Sequence, residues 1–253
     1  MTERTGDIWN KKAEKFPRFS DDREAGHFKR AAFFENCGVC FDNAEILDVG
    51  CGTGRYALLF APKAKRVDAL DVSEGMLKVL NDEAQKRGYG NIRTLQNDFS
   101  GFGAEPKSYD VVFTSMTPAV QKPEEVQKIL DLARNHWAYI GWGRKRKNPL
   151  VEAIFADHGI EMVVPKGAPH VQKILADLGH SVEVTFIEES WNHEGSLEES
   201  VEDIAWHVEI NGGKPDRDLI RSRLEPLVES DGKIRHTAEV EVGVFVLHLG
   251  RQS

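Results

Sequence analysis

Three aspartates and a glycine-rich turn define the chemistry open to this 253-residue chain. The stretch Asp48-Val49-Gly50-Cys51-Gly52-Thr53-Gly54 leads from an apolar run into a helix-forming one. Glycines there let the main chain turn tightly and approach a ligand where a Cβ would collide. Asp71 ends the next apolar run about twenty residues on, where a carboxylate can accept hydrogen bonds from both hydroxyls of a ribose. Asp98 ends a third run, in Asn97-Asp98-Phe99. Carboxylates at the ends of successive strands face the crevice in which open α/β sheets bind ligands. A ligand that is positively charged and lacks phosphate suits such a crevice better than a pyrophosphate does. On the glycines alone the question stays open: Gly52-Thr53-Gly54-Arg55-Tyr56-Ala57 also fits the G-x-G-x-x-A dinucleotide fingerprint of a nicotinamide-dependent reductase.

The elements that must position these residues follow from periodicity. A polar, helix-prone lead covers roughly residues 7–36. Ala44 to Val49 reads as a buried strand, and the helix after the glycine turn runs through Tyr56, Leu58, Leu59 and Phe60 until Pro62 stops it. A second strand spans Arg66 to Val72. Ser73 caps a helix whose Met76, Leu77, Leu80 and Ala84 recur at helical spacing up to Gly88. Further strands span Asn91 to Gln96, Tyr109 to Ser115 and Trp137 to Trp142, with a helix from Pro123 to Leu132. This alternation predicts an α/β fold with a parallel, doubly wound, Rossmann-like sheet. Ser181 to Ile187 and Glu239 to Leu249 read as two more strands, paired antiparallel at one edge. Between them a helical insert, roughly 190–231, carries the capping box Ser196/Glu199 and the apolar stripe Leu197, Val201, Ile204 and Val208. The expected organisation is one domain over 1–253: lead 1–36, core 44–189, insert 190–231, terminal strand 232–253.

The segments ILDVGCGTG, VDALDVSEGML and NDF, in this order and spacing, resemble the class I S-adenosylmethionine-dependent methyltransferases, in particular the small-molecule, type 11-like members. The resemblance covers roughly Ile46 to Trp142. It implies a seven-stranded sheet of order 3-2-1-4-5-7-6 with the last strand antiparallel, and S-adenosyl-L-methionine as cofactor. It further implies that Gly50, Cys51, Gly52 and Gly54 line the methionine part, while Asp48 orients the loop and the methionine amine. Asp71 would hold the ribose and Val72 and Met76 the adenine. Asp98 and Phe99 would stand at the adenine amine, and Ser115 near the methionine end. Ile8 to Phe16 is similar to the W-x-x-x-A-x-x-F lead of many such enzymes, which forms a lid; Trp9, Ala13 and Phe16 equally fit a helix packing its apolar stripe.

Methyl transfer from a sulfonium needs positioning more than acid–base help, so no catalytic residue is assigned. The acceptor side is expected near Trp9 in the lead, near Met116 and Thr117 after the fourth strand, and near Trp142 in the flexible turn Gly141-Trp142-Gly143-Arg144. In the insert it is expected near Trp206 on the helix and Trp191, with His193, in the turn leading in. Trp206 needs a second surface: substrate, lid or a partner copy. Trp142 serves as well as a core residue, and His136 reads as structural. The N/D-P-P-Y/F motif of amino-group methyltransferases is missing at Ser115-Met116-Thr117-Pro118, which disfavours adenine and glutamine acceptors.

A net charge of −8 argues against nucleic acid as the partner and for a small-molecule substrate; only Arg144-Lys145-Arg146-Lys147 runs the other way. A tRNA, rRNA or protein methyltransferase and a non-catalytic cofactor-binding module remain as alternatives. Cys37 and Cys40 form a lone C-x-x-C, and His170, His193 and His207 are dispersed, so no metal is expected. With no leader-like or membrane-spanning segment, the expectation is a cytoplasmic monomer or homodimer.

Overall fold

The computed structural model describes residues 2–250. Contacts divide the chain into two compact units. The first holds the chain up to Gly141, Lys166–Thr185 and the chain from Gly243 on; the second holds Trp142–Pro165 and Phe186–Val242. The segment 190–231 falls wholly in the second, which also takes in residues on either side of it.

Chain order is α1 (Thr2–Asn10), a 3-10 turn at Ala13–Lys15, α2 (Gly26–Asn36), β1 (Glu45–Val49), α3 (Arg55–Phe60), β2 (Arg66–Asp71), α4 (Glu74–Arg87), β3 (Ile92–Gln96), β4 (Tyr109–Ser115) and α5 (Pro123–Leu132). Then come β5 (Ala133–Lys147), α6 (Pro149–Asp157), α7 (Ala168–Asp177), β6 (Thr185–Ser196), α8 (Leu197–Ile210), α9 (Arg217–Leu224), a 3-10 turn at Glu225–Leu227 and β7 (Lys233–His248). The strands form one seven-stranded sheet of order β3-β2-β1-β4-β5-β7-β6. β1, β2, β3, β4 and β5 pair in parallel, and the last strands run antiparallel.

Local chemistry explains the elements around the glycine turn. β1 is buried from Ile46 to Val49, as a strand covered on both faces must be. Ser73 Oγ accepts the Met76 N–H at 3.1 Å and starts α4; Gly88, at φ 71°, ends it in the left-handed conformation that glycine adopts without strain. The core of the first unit is aromatic, with Phe41 stacked on Phe60 at 4.2 Å and Tyr139 on Phe245 at 4.6 Å. The second unit packs α6, α8 and α9 through Phe155, Ile204, Val208, Ile220 and Leu224.

Asp68 is fully buried and accepts from Tyr109 Oη at 2.8 Å and from Arg93 at 3.0 and 2.6 Å. Asp68→Ala leaves the Tyr109 hydroxyl stranded and should cost about 1–3 kcal/mol in chemical denaturation. The pair Asp68→Ala/Tyr109→Phe should cost less than the sum of its parts, because both polar partners then leave together.

Three expectations need correction. Gly141-Trp142-Gly143-Arg144 is not a turn: β5 runs through it to Lys147. The long strand is fixed by a distant partner, since Glu241 accepts from the Arg144 N–H at 2.7 Å and from its Nε and Nη2 at 2.8 Å. Trp191 and His193 lie on β6, which begins at Thr185 and continues to Ser196, rather than in a turn. His136 stands inside β5 rather than before it.

Candidate functional site

All the expected cofactor residues fall in the first unit, at the carboxyl ends of β1, β2, β3 and β4. Gly50, at φ 69°, follows β1; its N–H and that of Cys51 donate to Leu70 O at 2.8 and 3.0 Å, which closes the turn against β2. Gly52 and Gly54 are also left-handed, at φ 55° and 81°. A Cβ on Gly54 would lie 2.1 Å from Leu80 Cδ1, so this glycine lets α4 pack against the turn.

Asp71 links the turn to α4. Its Oδ2 accepts the Gly52 N–H at 2.8 Å and its Oδ1 the Ser73 N–H at 2.9 Å. The Val72 main chain is a third donor to it; a carboxylate offers about four lone-pair sites, so roughly one remains for a ligand hydroxyl. Burial pushes the Asp71 carboxyl up, against the opposing pull of these main-chain donors. Asp48 is more isolated. It is 2% exposed, the main chain of Ala57 donates to it, and its Oδ2 has no hydrogen-bond partner. Burial first, and the Asp71 carboxylate second, push the Asp48 carboxyl up to about 7. Burial also raises the Cys51 thiol well above its ordinary range, which leaves a small neutral group and no nucleophile.

Val72 is half-buried and Met76 buried at the start of α4. Asp98 closes its own turn by accepting the Ser100 N–H at 2.8 Å; Phe99 is buried beneath the Lys128 ammonium, 5.0 Å from the ring centre. Ser115 shares a hydrogen bond with Tyr56, whose hydroxyl also accepts from Arg30 Nε at 2.9 Å. Met116 holds a left-handed φ of 51°, and its N–H donates to Ile140 O at 2.9 Å. Thr117 lies against the glycine turn, close enough that a Cβ on Gly50 would fall 2.1 Å from its Oγ1.

The amino-terminal lead packs on the same turn. Phe16 lies where a Cβ on Gly52 would point, 3.5 Å away, and Trp9 meets Phe16 edge-on at 6.1 Å. The sequence did not reveal the polar ties that hold it. Thr53 Oγ1 donates to Pro17 O at 2.8 Å, while Asn10 Oδ1 accepts from Ser73 Oγ at 2.7 Å and from Gly75 N–H at 2.9 Å. Nothing in the type or spacing of Asn10 announces a contact 63 residues away.

The expected acceptor residues divide. Met116, Thr117 and Trp9 are in the first unit, and Trp142, Trp191 and Trp206 in the second. Trp142 and Trp191 meet at 5.3 Å and line one cavity; half-buried Trp206 lies against His207 at 5.0 Å and is not among its walls.

An adenosyl sulfonium fits the first-unit residues on two observations. The buried Asp48 oxygen lacks a donor, which an ammonium or a bridging water supplies. The three left-handed glycines keep bare main chain in the turn beside it. No phosphate is needed to satisfy any group there.

Comparison with known proteins agrees. Residues 46–138 match the model of a family described as a methyltransferase domain. The chain is 30% identical over 152 residues to a ubiquinone biosynthesis O-methyltransferase of Rickettsia conorii, covering 58% of this chain and 51% of that one. It is 29% identical over 121 residues to a probable cobalt-precorrin-6B C(15)-methyltransferase (decarboxylating) of Methanobrevibacter smithii, covering 48% and 59%. The chain thus spans just over half the length of each of these relatives. The crystal structure of a SAM-dependent methyltransferase from Aquifex aeolicus shares the fold, with a TM-score of 0.53 at 15% identity over 91% of this chain and 98% of that one. Among the described residues no helix is long and apolar enough to cross a membrane.

Proposed function

We propose that this chain, whose residues 46–138 match the model of a methyltransferase domain, is a class I S-adenosylmethionine-dependent methyltransferase that transfers the cofactor's methyl group to a small-molecule acceptor by in-line displacement. The observation that carries the reading is the pair Asp48 and Asp71 beside the glycine turn, one with an unpaired buried oxygen and the other with an acceptor site to spare. In this reading Asp71 takes a ribose hydroxyl and Asp48 the ammonium group. Gly50, Cys51, Gly52 and Gly54 admit the methionine portion, with Ser115 near its end. Val72 and Met76 bracket the adenine, whose amine meets the Asp98–Phe99 corner. When bound, S-adenosylmethionine supplies a methyl group already activated as a sulfonium. The chain's share is positioning and exclusion of water, which supply most of the acceleration in such displacements. The lead around Trp9 and Phe16, tied down through Asn10 and Thr53, supports the second task.

A small acceptor is favoured over RNA by what the basic run does. Arg144 is paired with Glu241 and Lys145 with Glu188 at 2.7 Å, so the run does not offer four free cations to a phosphate backbone.

Calorimetric titration with S-adenosylmethionine, S-adenosylhomocysteine and NAD tests the reading. The first two should bind and NAD should not. Asp71→Asn should weaken both by at least about tenfold, since a hydrogen bond to a charged group contributes roughly 1.5–3 kcal/mol. Binding of neither adenosyl compound would overturn the assignment.

A further inference from the structure

The second unit holds a cavity of about 130 Å³ whose lining is unlike the glycine-turn site. Its walls include the indoles of Trp142 and Trp191, 5.3 Å apart, with Met162 and Val240. Trp191 is oriented by its own polar edge, Nε1 donating to Glu189 Oε2 at 2.7 Å. The volume is close to the roughly 150 Å³ that holds a benzene in an engineered protein cavity. Space and walls together suit one flat ring or an apolar body of that size.

The polar member is Arg146. Its guanidinium stands 5.0 Å over the Trp142 ring, and among the described residues it makes no hydrogen bond or ion pair. Its strand neighbours Arg144 and Lys145 both have carboxylate partners. Arg146 is also half-buried, and that burial alone lowers its pKa. A guanidinium presents five N–H donors in a planar fork that matches a carboxylate, and a partly desolvated one without a counter-charge carries a standing cost that such a partner removes. Other polar groups of the lining are engaged with one another: Asp203 lies 3.7 Å from His207, and Asn148 Nδ2 donates to His236 Nδ1 at 3.0 Å. His236 is also stacked on His193 at 4.6 Å, and its burial favours the neutral ring. Among the described residues no three donors are placed to hold a metal ion.

We propose that this cavity binds a small organic carboxylate carrying a single ring or a comparably sized apolar body, with Arg146 taking the carboxylate and the two indoles enclosing the body. The inference concerns the second unit alone and does not rest on the cofactor assignment.

Intrinsic tryptophan fluorescence of the full chain, titrated with benzoate, benzamide and benzylamine, tests it. Benzoate should give a saturable change with a Kd of about 1 mM or tighter, and the neutral and cationic analogues should bind at least about tenfold more weakly. Arg146→Met should bring benzoate down to the level of benzamide while benzamide itself is unchanged, and Arg146→Lys should fall between. No saturable response to benzoate by about 20 mM would overturn the proposal. So would benzylamine matching benzoate, or benzoate affinity surviving in Arg146→Met. If that variant fails to fold, the ranking of the three probes on the unaltered chain still decides.

Discussion

Gly50→Ala is expected to lower affinity for S-adenosylmethionine by at least about thirtyfold, and two separate costs add up to that figure. The residue sits at φ 69°, where a side chain costs about 1–2 kcal/mol. Its Cβ would also fall 2.1 Å from Thr117 Oγ1 and 2.6 Å from Thr117 Cβ, and overlaps of this kind cost typically 1–3 kcal/mol. About 1.4 kcal/mol is a factor of ten. The neighbourhood has little slack with which to absorb the methyl group. Met116 already holds a left-handed backbone and is bonded to β5, while Gly50 N–H is bonded to β2. The costs separate by mutation. Gly50→Ala with Thr117→Gly removes the overlap and keeps the backbone strain, so its affinity should lie between the unaltered chain and the single variant. Gly88→Ala is the control: φ is 71° but nothing lies within 4 Å, so stability should fall while cofactor affinity holds. Calorimetry with circular dichroism reads all four proteins. Normal affinity in Gly50→Ala would show that the turn can open at no cost and does not grip the ligand.

Such tests can be designed because the strand-to-turn-to-helix half of the molecule is written locally. Tyr109–Ser115 and Pro123–Leu132 are found where apolar runs and a helix-starting proline put them. The glycine turn and its aspartates likewise lie together because each ends a short-range element. The stretch 141–196 depends instead on partners that its local pattern does not show. Gly141, Gly143 and four cations looked like a loop, yet a Cβ on Gly143 would fall 2.6 Å from Glu241 Oε1, so glycine there makes room for the carboxylate that pairs with Arg144. The alternation Val182, Val184, Phe186 suggested a strand earlier than the real one. Val182 is instead buried in the loop after α7, with its carbonyl accepting from Gln172 Nε2 at 2.9 Å, and β6 starts at Thr185. Helices α6 and α7 fell in a stretch where no elements were expected. Arg146 was indistinguishable in the sequence from its basic neighbours, because what sets it apart, half-burial over the Trp142 ring without a carboxylate partner, comes from packing.

In the proposed site, the buried Asp48 carboxyl is expected to make cofactor binding a proton-linked event. Its pKa is about 7 in the folded chain against an ordinary value of 3.8, so the folded state holds a proton that the unfolded state has released between those pH values. Asp48 therefore contributes stability below about pH 4 that is lost as pH rises towards 7, and ionised it is a burden at pH 8. An ammonium group placed against the unpaired oxygen reverses the preference and favours the carboxylate. Binding below pH 7 must then expel the proton, and affinity should climb with pH by up to about tenfold per unit before levelling near 7. The measurement belongs below pH 7, because an α-amino group titrates itself at roughly 7.7–8.0. Calorimetry near pH 6, in buffers of different ionisation enthalpy, should report close to one proton released per cofactor bound. Asp48→Asn should abolish both the release and the slope, weaken binding at pH 7 by at least about tenfold, and raise the thermal midpoint of the ligand-free chain at pH 8. The two readouts move in opposite directions, which a merely structural role for Asp48 does not produce. Binding without proton release in the unaltered chain would mean that the ammonium is held elsewhere and that Asp48 only braces the turn through Ala57.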